Sequence, residues 1–319
     1  MQTNTMRAVR AHRRGGPEQL VYEVAPRPEP ASGEVLVAVH AASITSDELT
    51  WDATWTDSIE PGGRDRTPII PSHEMSGVVA ALGPGVTEAK VGDEVYGFIP
   101  AVRDGAAAEY VTVPADILAA KPTTVDHDAA AAVPLAALTA WQALVDHASL
   151  QAGQHILIHG AAGGVGSFAV QIAASLGARI TATASGRDRD FVTKLGAHEV
   201  VDYANERFED HVEGVDVVLD MVGGETQARS WSVLRPGGVL VSVFAPPDAR
   251  QAAAHGVRGV FFIVEPNRAQ LETIARLIDT GGLTPAVDRV VSLADTRAAY
   301  EALQAEHRRG KVVIHVAER

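Results

Sequence analysis

The chain contains no cysteine. Disulfides, thiolate metal sites and a cysteine nucleophile are thereby excluded. Positive charge is also in short supply: 27 Lys and Arg stand against 40 Asp and Glu, a formal net charge of −13. Nucleic-acid and anionic-membrane surfaces need the opposite balance, so neither partner is expected. Long apolar runs are missing as well. The longest uncharged stretch, Ala129 to Val145, is 17 residues and contains Pro134 and Gln142. It reads as a buried helix start and not as a membrane span. Arg7, Arg10, Arg13 and Arg14 near the N-terminus have no apolar core behind them. A secretory leader is therefore not expected, and a cytoplasmic protein is the simplest reading.

What is present suits a globular enzyme of two domains: 319 residues, 46% hydrophobic and 21% charged. The first third is β-rich. Strands are expected at Met6–Ala11, Glu34–Ala42, Gly77–Ala81, Asp93–Ile99 and Ala108–Val113, between turn signals such as Gly83-Pro84-Gly85. That spacing suits a small barrel. Pro26, Pro28 and Pro30 read as an extended connection. The middle alternates strand and helix. Strands are expected at His155–His159, Arg179–Ala184, Glu199–Asp202, Val215–Asp220, Val239–Phe244 and Val260–Val264. Helical runs fall at Phe168–Leu176, Asp188–Leu195 and Thr226–Leu234. Such alternation predicts an α/β fold, a doubly wound parallel sheet. From about Asn267 come a helix (Gln270–Asp279), a turn at Gly281-Gly282, a helix near Thr296–Gln304 and a strand, Lys311–Val316. The expected division is 1–126, 127–266 and 267–319, with the two ends building one domain and a substrate cleft beside the other.

One segment carries the chemistry. His155-Ile156-Leu157-Ile158-His159 feeds the turn Gly160-Ala161-Ala162-Gly163-Gly164-Val165-Gly166, and an Ala-rich helical run follows. A strand, a glycine turn and a helix in that order cradle a dinucleotide pyrophosphate on backbone N–H groups. Ala161 stands at the first glycine place of the fingerprint; Gly163 and Gly166 fill the second and third. NAD-binding sheets place a carboxylate at the end of the next strand. Here Ser185 and Arg187 stand there, followed by Arg189, with Lys194 further on. A hydroxyl and a guanidinium suit a 2′-phosphate, so NADP(H) is the expected cofactor, with Arg187 nearer the strand end than Arg189. The same residues also make an ordinary solvated helix start, with Asp188 and Asp190 at its positive end. Further on, Asp220-Met221-Val222-Gly223-Gly224 and Val243-Phe244-Ala245-Pro246 end the fourth and fifth strands.

The run Gln151 to Gly166, with Gly92-Asp93-Glu94-Val95-Tyr96-Gly97, Leu138-Thr139-Ala140-Trp141 and Arg235-Pro236-Gly237-Gly238, resembles the zinc-independent branch of the medium-chain dehydrogenase/reductase superfamily. The NADPH:quinone oxidoreductase, or zeta-crystallin-like, group is the nearest type. The resemblance covers essentially the whole chain. It implies a Rossmann domain inserted into a GroES-like β-barrel domain. It also implies NADPH as hydride donor, quinones or the activated C=C bonds of enones and enals as acceptors, and a homodimer joined through the Rossmann sheet, or a tetramer. Carried over by position, it puts the pyrophosphate on Gly163, Gly164, Val165 and Gly166. Ser185, Arg187 and Tyr203 surround the 2′-phosphate and adenosine. Thr139, Val243, Phe244, Ala245, Phe262 and Val264 flank the nicotinamide. Lys311 matches a common Gly-Lys pair. Tyr203 and Lys311 read equally well as an amphipathic rim residue and a charged strand entry.

Pro71-Ser72-His73-Glu74 resembles the Gly-His-Glu segment in which zinc-dependent alcohol dehydrogenases hold their metal. A catalytic zinc needs about three protein ligands. The family's cysteine positions fall near Ile44 or Thr45 and near Leu138, and neither has a thiolate. No metal is expected; His73 reads as a packing or hydrogen-bonding residue. His155 and His159 lie on one strand face with no carboxylate expected nearby. The inferred chemistry is direct hydride transfer, with Ser43–Trp51 beside the nicotinamide. Ser43 and Thr45 are candidate proton donors beside solvent, because the Tyr that many family members carry here is missing. Trp51, with Trp55, reads either as an aromatic wall for a flat substrate or as a core or lid pair. The alternative function is an NADPH-binding sensor or structural protein with little turnover.

Overall fold

The computed structural model describes residues 4–303 and 306–317. The expected helix end at Gln304 lies outside the described residues. The chain forms two compact units. One comprises Ala136–Glu265 and Gly281–Thr284; the other holds the chain through Leu135, Pro266–Thr280, and Pro285 onward.

Among the described residues the first unit has one sheet of six strands: β1 His155–His159, β2 Arg179–Ala184, β3 Glu199–Asp202, β4 Val215–Asp220, β5 Leu234–Ser242 and β6 Arg258–Phe261. Their order across the sheet is 3-2-1-4-5-6. Every pairing is parallel. This is a doubly wound Rossmann sheet, whose order reverses between β1 and β4. β1 and β4 are central, and their apolar residues are buried because both faces are covered. Their bounds match expectation, as do those of β2 and β3. β5 begins earlier than expected, at Leu234, and runs through Arg235-Pro236-Gly237-Gly238. Its pairing with β4 is irregular between Val215 and Val217, which accommodates that segment. β6 also begins earlier, at Arg258, and is an exposed edge strand.

Pro134 splits the long uncharged run. His127–Ala131 is one short helix, capped by Asp126. Pro134–Trp141 is a second, with proline in its first turn, where no intrahelical N–H is needed.

In the second unit one sheet runs Val287–Ser292, Lys311–His315, Glu34–Ile44, Glu74–Leu82, Glu94–Phe98, Ala119–Ala120; Tyr110–Pro114 also pairs with Glu34–Ile44. The inward residues Val35, Val37, Met75, Val95, Val113 and Ile314 are buried and form the barrel core with Ile69, Tyr300 and others. Leu20–Pro26, not expected as a strand, pairs antiparallel with Thr5–Ala11 and ends at the first proline of the expected connection.

Candidate functional site

In the Rossmann unit, β1 ends at His159 and the turn begins at Gly160, which has φ +75°. Glycine is needed here, and the fingerprint puts the requirement one residue later, at Ala161. The helix α1, Gly164–Ser175, follows at once, with Gly163 as its N-cap and no side chain capping it. Gly166 packs the helix onto the turn: a Cβ there would lie 2.2 Å from Gly160 O and 2.7 Å from Ala161 Cα. Gly163 is different, since a Cβ would lie 3.4 Å from Gly160 O. Backbone N–H groups at an uncapped helix start, approached over glycine, fit a dinucleotide pyrophosphate.

Ser185 and Arg187 meet at the end of β2, where Arg187 Nε donates to Ser185 Oγ over 3.3 Å. Arg189 is drawn away. It donates to Val200 O and pairs with Glu206 at 3.2 Å. Tyr203 follows β3 and is 66% exposed. A residue not singled out from sequence also sits here. Asp202 ends β3, and a Cβ on Gly186 would lie 2.5 Å from its Oδ2. Its carboxylate accepts from Asn205 Nδ2 at 2.7 Å and Ala204 N at 3.2 Å.

Asp220 was visible only as the last residue of a strand. It is fully buried and accepts from Val222 N, Gly223 N, Gln227 Nε2 and Ser242 Oγ, all between 2.8 and 3.0 Å. One carboxylate thus ties together the carboxyl ends of β4 and β5. Phe244 beyond β5 is 59% exposed, while Val243 and Ala245 are half-buried. Phe262 and Val264 are half-buried, and the Phe262 ring stacks on His147 with centroids 4.3 Å apart. Thr139 is buried at 5% exposure.

The expectation that His155 and His159 have no carboxylate nearby is corrected. His155 N donates to Asp216 at 2.8 Å, and Asp220 acts electrostatically on His159. His159 bonds Thr183 Oγ1 at 3.1 Å and Ser230 Oγ at 3.0 Å. Burial pushes its pKa down to about 4, so it stays neutral.

In the barrel unit the strand Glu34–Ile44 pairs antiparallel with Lys311–His315, Val312 facing Ile44 and Val313 facing Ser43. That register puts Lys311 opposite Thr45. Lys311 Nζ donates to Thr45 Oγ1 at 3.2 Å and lies 2.6 Å from Glu74 Oε1. Lys311 is 7% exposed and Glu74 fully buried. Glu74 is the cross-strand partner of Ser43 and accepts from Leu135 N at 2.9 Å. Lys311 is thus no surface strand entry. It is one half of a buried ion pair holding a half-buried threonine hydroxyl. Ser43 is 1% exposed, and its Oγ has no hydrogen-bond partner.

His73 Nδ1 lies 2.8 Å from Glu48 Oε2, and its Nε2 lies 3.2 Å from Arg103 O. Both ring nitrogens are engaged. Glu48, fully buried, also accepts from Ser72 N at 2.9 Å, Thr45 N at 3.2 Å and the Tyr300 hydroxyl. Burial works to raise the Glu48 pKa, but the hydrogen bonds from His73, Tyr300 and Ser72 outweigh it and hold the carboxyl below its ordinary value. Among the described residues no three His, Asp or Glu side chains gather as a metal would need. Trp55 is a core residue, 3% exposed, with Nε1 donating to Leu49 O at 2.9 Å; Trp51 is half-buried. The two tryptophans therefore do not form a joint exposed wall.

Two family models match: one described as an alcohol dehydrogenase GroES-like domain over residues 31–123, the other as a zinc-binding dehydrogenase over residues 195–314. A probable zinc-binding mitochondrial oxidoreductase of Arthroderma benhamiae is 32% identical, covering 93% of each chain. The chain belongs to the quinone oxidoreductase group of the medium-chain dehydrogenases/reductases. The solved quinone oxidoreductase of Coxiella burnetii is 30% identical, with a TM-score of 0.89 over 98% of this chain and 100% of that one. A mycobacterial protein solved in complex with NADPH is 28% identical, with a TM-score of 0.85 over 97% and 99%. This medium-chain reductase is accordingly an NAD(P)-dependent oxidoreductase. No helix among its described residues is long and apolar enough to cross a membrane.

Proposed function

We propose that this protein is an NADPH-dependent reductase of quinones or of the activated C=C bonds of enones and enals, working without zinc. The observation that carries the reading is the Ser185–Arg187 pair at the end of β2, on the same sheet as the glycine cradle. A hydroxyl and a guanidinium favour a 2′-phosphate, where a carboxylate would repel it. Asp202 is close by, but its oxygens are already engaged. The bound cofactor supplies the hydride.

The chain supplies the rest. Gly163, with the N–H groups of Gly164, Val165 and Gly166, holds the pyrophosphate, and Tyr203 lines the adenosine. Thr139, Val243–Ala245 and Phe262–Val264 flank the nicotinamide and exclude water. We assign the cofactor to residues 127–266 and the acceptor to 1–126 and 267–319. Thr45 donates a hydrogen bond, then its proton, to the acceptor oxygen. Lys311, paired with Glu74, replaces that proton from its ammonium and takes one back from solvent. Thr45 suits this role better than Ser43, whose hydroxyl is buried. Trp51 borders the acceptor. His73 positions the Thr45 segment through Glu48, which accepts from Thr45 N. The missing thiolates and the engaged His73 nitrogens support a zinc-independent reaction. The exposed edge strand β6 suits a homodimer formed by sheet extension, and a cytoplasmic location accords with the sequence.

The test is isotopic. With NADPH deuterated at C4 and an enal as acceptor, deuterium should appear on the β-carbon of the product. Appearance of only solvent hydrogen there would overturn direct transfer. Elemental analysis should find no stoichiometric zinc; one zinc per chain would overturn the zinc-free reading.

A further inference from the structure

The barrel unit has a cavity of about 430 Å³ that none of the proposed chemistry uses. Its lining includes Arg10, Arg27, Arg66 and Arg103 but a single carboxylate, Asp104. That is the reverse of the chain as a whole, which carries a net charge of −13. Two further carboxylates reach the guanidiniums from outside the lining: Glu23 pairs with Arg10 at 3.1 Å, and Glu34 pairs with Arg103. Asp57 also acts on Arg66, so the carboxylates balance the four cations, but all except Asp104 do so from outside the lining. Arg66 is only loosely paired, 3.7 Å from Asp104, although its side chain is 15% exposed. Arg27 lies over the Tyr110 ring, 4.0 Å from its centroid.

Two of these guanidiniums have unmet hydrogen-bonding capacity. Arg66 Nε and Arg103 Nε are both buried without an acceptor. A buried, charged donor left unpaired is costly, and native proteins seldom keep one without a reason. Burial, with Arg103 as a like-charged neighbour, also depresses the Arg66 pKa. Guanidiniums gathered round one cavity, with donor capacity to spare, suit a phosphate. Met6, Ala25, Pro26 and Ile70 give the same cavity an apolar side, able to take an organic body.

We infer that this four-arginine cavity is a second ligand site, specific for a phosphate group, separate from the cofactor cradle. The phosphate arrives either free or as the monoester of a small molecule. Arg66 and Arg103 grip its oxygens, Arg10 adds charge, and the Arg27–Tyr110 stack forms a wall.

The experiment is isothermal titration of the full chain at fixed ionic strength, with and without saturating NADPH. The probes are inorganic phosphate, phenyl phosphate and benzoate. Both phosphates should bind, with or without NADPH, and benzoate should bind at least about tenfold more weakly. Tighter binding of inorganic phosphate identifies free phosphate as the ligand; tighter binding of phenyl phosphate identifies a monoester. Arg66→Gln should weaken phosphate by about tenfold or more. Arg27→Gln should do likewise with an unchanged melting temperature. Arg13→Gln, outside the cavity, should have no effect. No phosphate binding below about 10 mM would overturn the inference. So would equal loss in Arg13→Gln, or displacement of phosphate by NADPH.

Discussion

Substituting Gly166 by alanine separates the two jobs of the glycine turn. The added Cβ would sit 2.2 Å from Gly160 O, 2.7 Å from Ala161 Cα and 2.9 Å from Ala161 C. All three are backbone atoms, so no side chain can turn aside. Ordinary contact between such atoms needs about 3.5 Å, and the start of α1 must move by about 1 Å. Overpacking of this kind costs about 1–3 kcal/mol, which a folded domain of about 5–15 kcal/mol survives. The N–H groups at the helix start move with it. Loss of two charge-assisted hydrogen bonds of about 1.5–3 kcal/mol each weakens NADPH by at least a hundredfold. Gly163→Ala is the control, because its Cβ is 3.4 Å from Gly160 O. It should melt close to the parent yet still lose NADPH, since its methyl stands in the cradle. Fluorescence titration of NADPH and thermal melting read both effects. The reasoning fails if Gly166→Ala binds NADPH within about threefold of the parent. It also fails if Gly163→Ala destabilises the fold more than Gly166→Ala does.

Three other outcomes are expected. Arg187→Ala should raise the Kd for NADPH by about tenfold or more and leave NADH nearly unchanged; equal losses would remove its 2′-phosphate role. Lys311→Met strands Glu74 as a buried charge, so it should cost about 3–5 kcal/mol in denaturant unfolding. Adding Glu74→Gln should restore stability but not turnover, and recovered turnover would refute the relay to Thr45. His159 has a folded pKa of about 4 against an ordinary 6.5. The unfolded chain therefore binds its proton first, and stability should fall as pH drops from about 6.5 through 4, by up to about 3 kcal/mol. Denaturant unfolding of His159→Gln should lack that part of the pH dependence; an identical profile would show that His159 is not the cause.

The Rossmann sheet was the most legible part of the chain. β1 and β4 are short β-branched runs buried on both faces, a pattern little else produces. The start of β5 was hidden because Arg235-Pro236-Gly237-Gly238 carries turn chemistry inside an irregular ladder. Leu20–Pro26 was hidden because Val21, Tyr22 and Val24 point outward, so no apolar face marked it. The glycine cradle is local, and its residues could be read in order. The barrel cluster could not. Glu48 meets Tyr300 across 252 positions, and Lys311 meets Thr45 across 266. The second follows from strand register between the two ends of the chain and the first from a distant helix packing beside a short helical turn, neither of which periodicity encodes. The residue pairing Lys311 was within reach nonetheless: a lysine opening a buried strand implies a carboxylate partner.

The most direct test of the central claim is a spectrophotometric one. Purified protein is mixed with NADPH or NADH and a panel of quinones, enones and enals, and loss of nicotinamide absorbance is followed. NADPH should be consumed with at least one of these acceptors, and more efficiently than NADH. Tight NADPH binding with no turnover on any acceptor would contradict the account and leave a cofactor-binding sensor in its place.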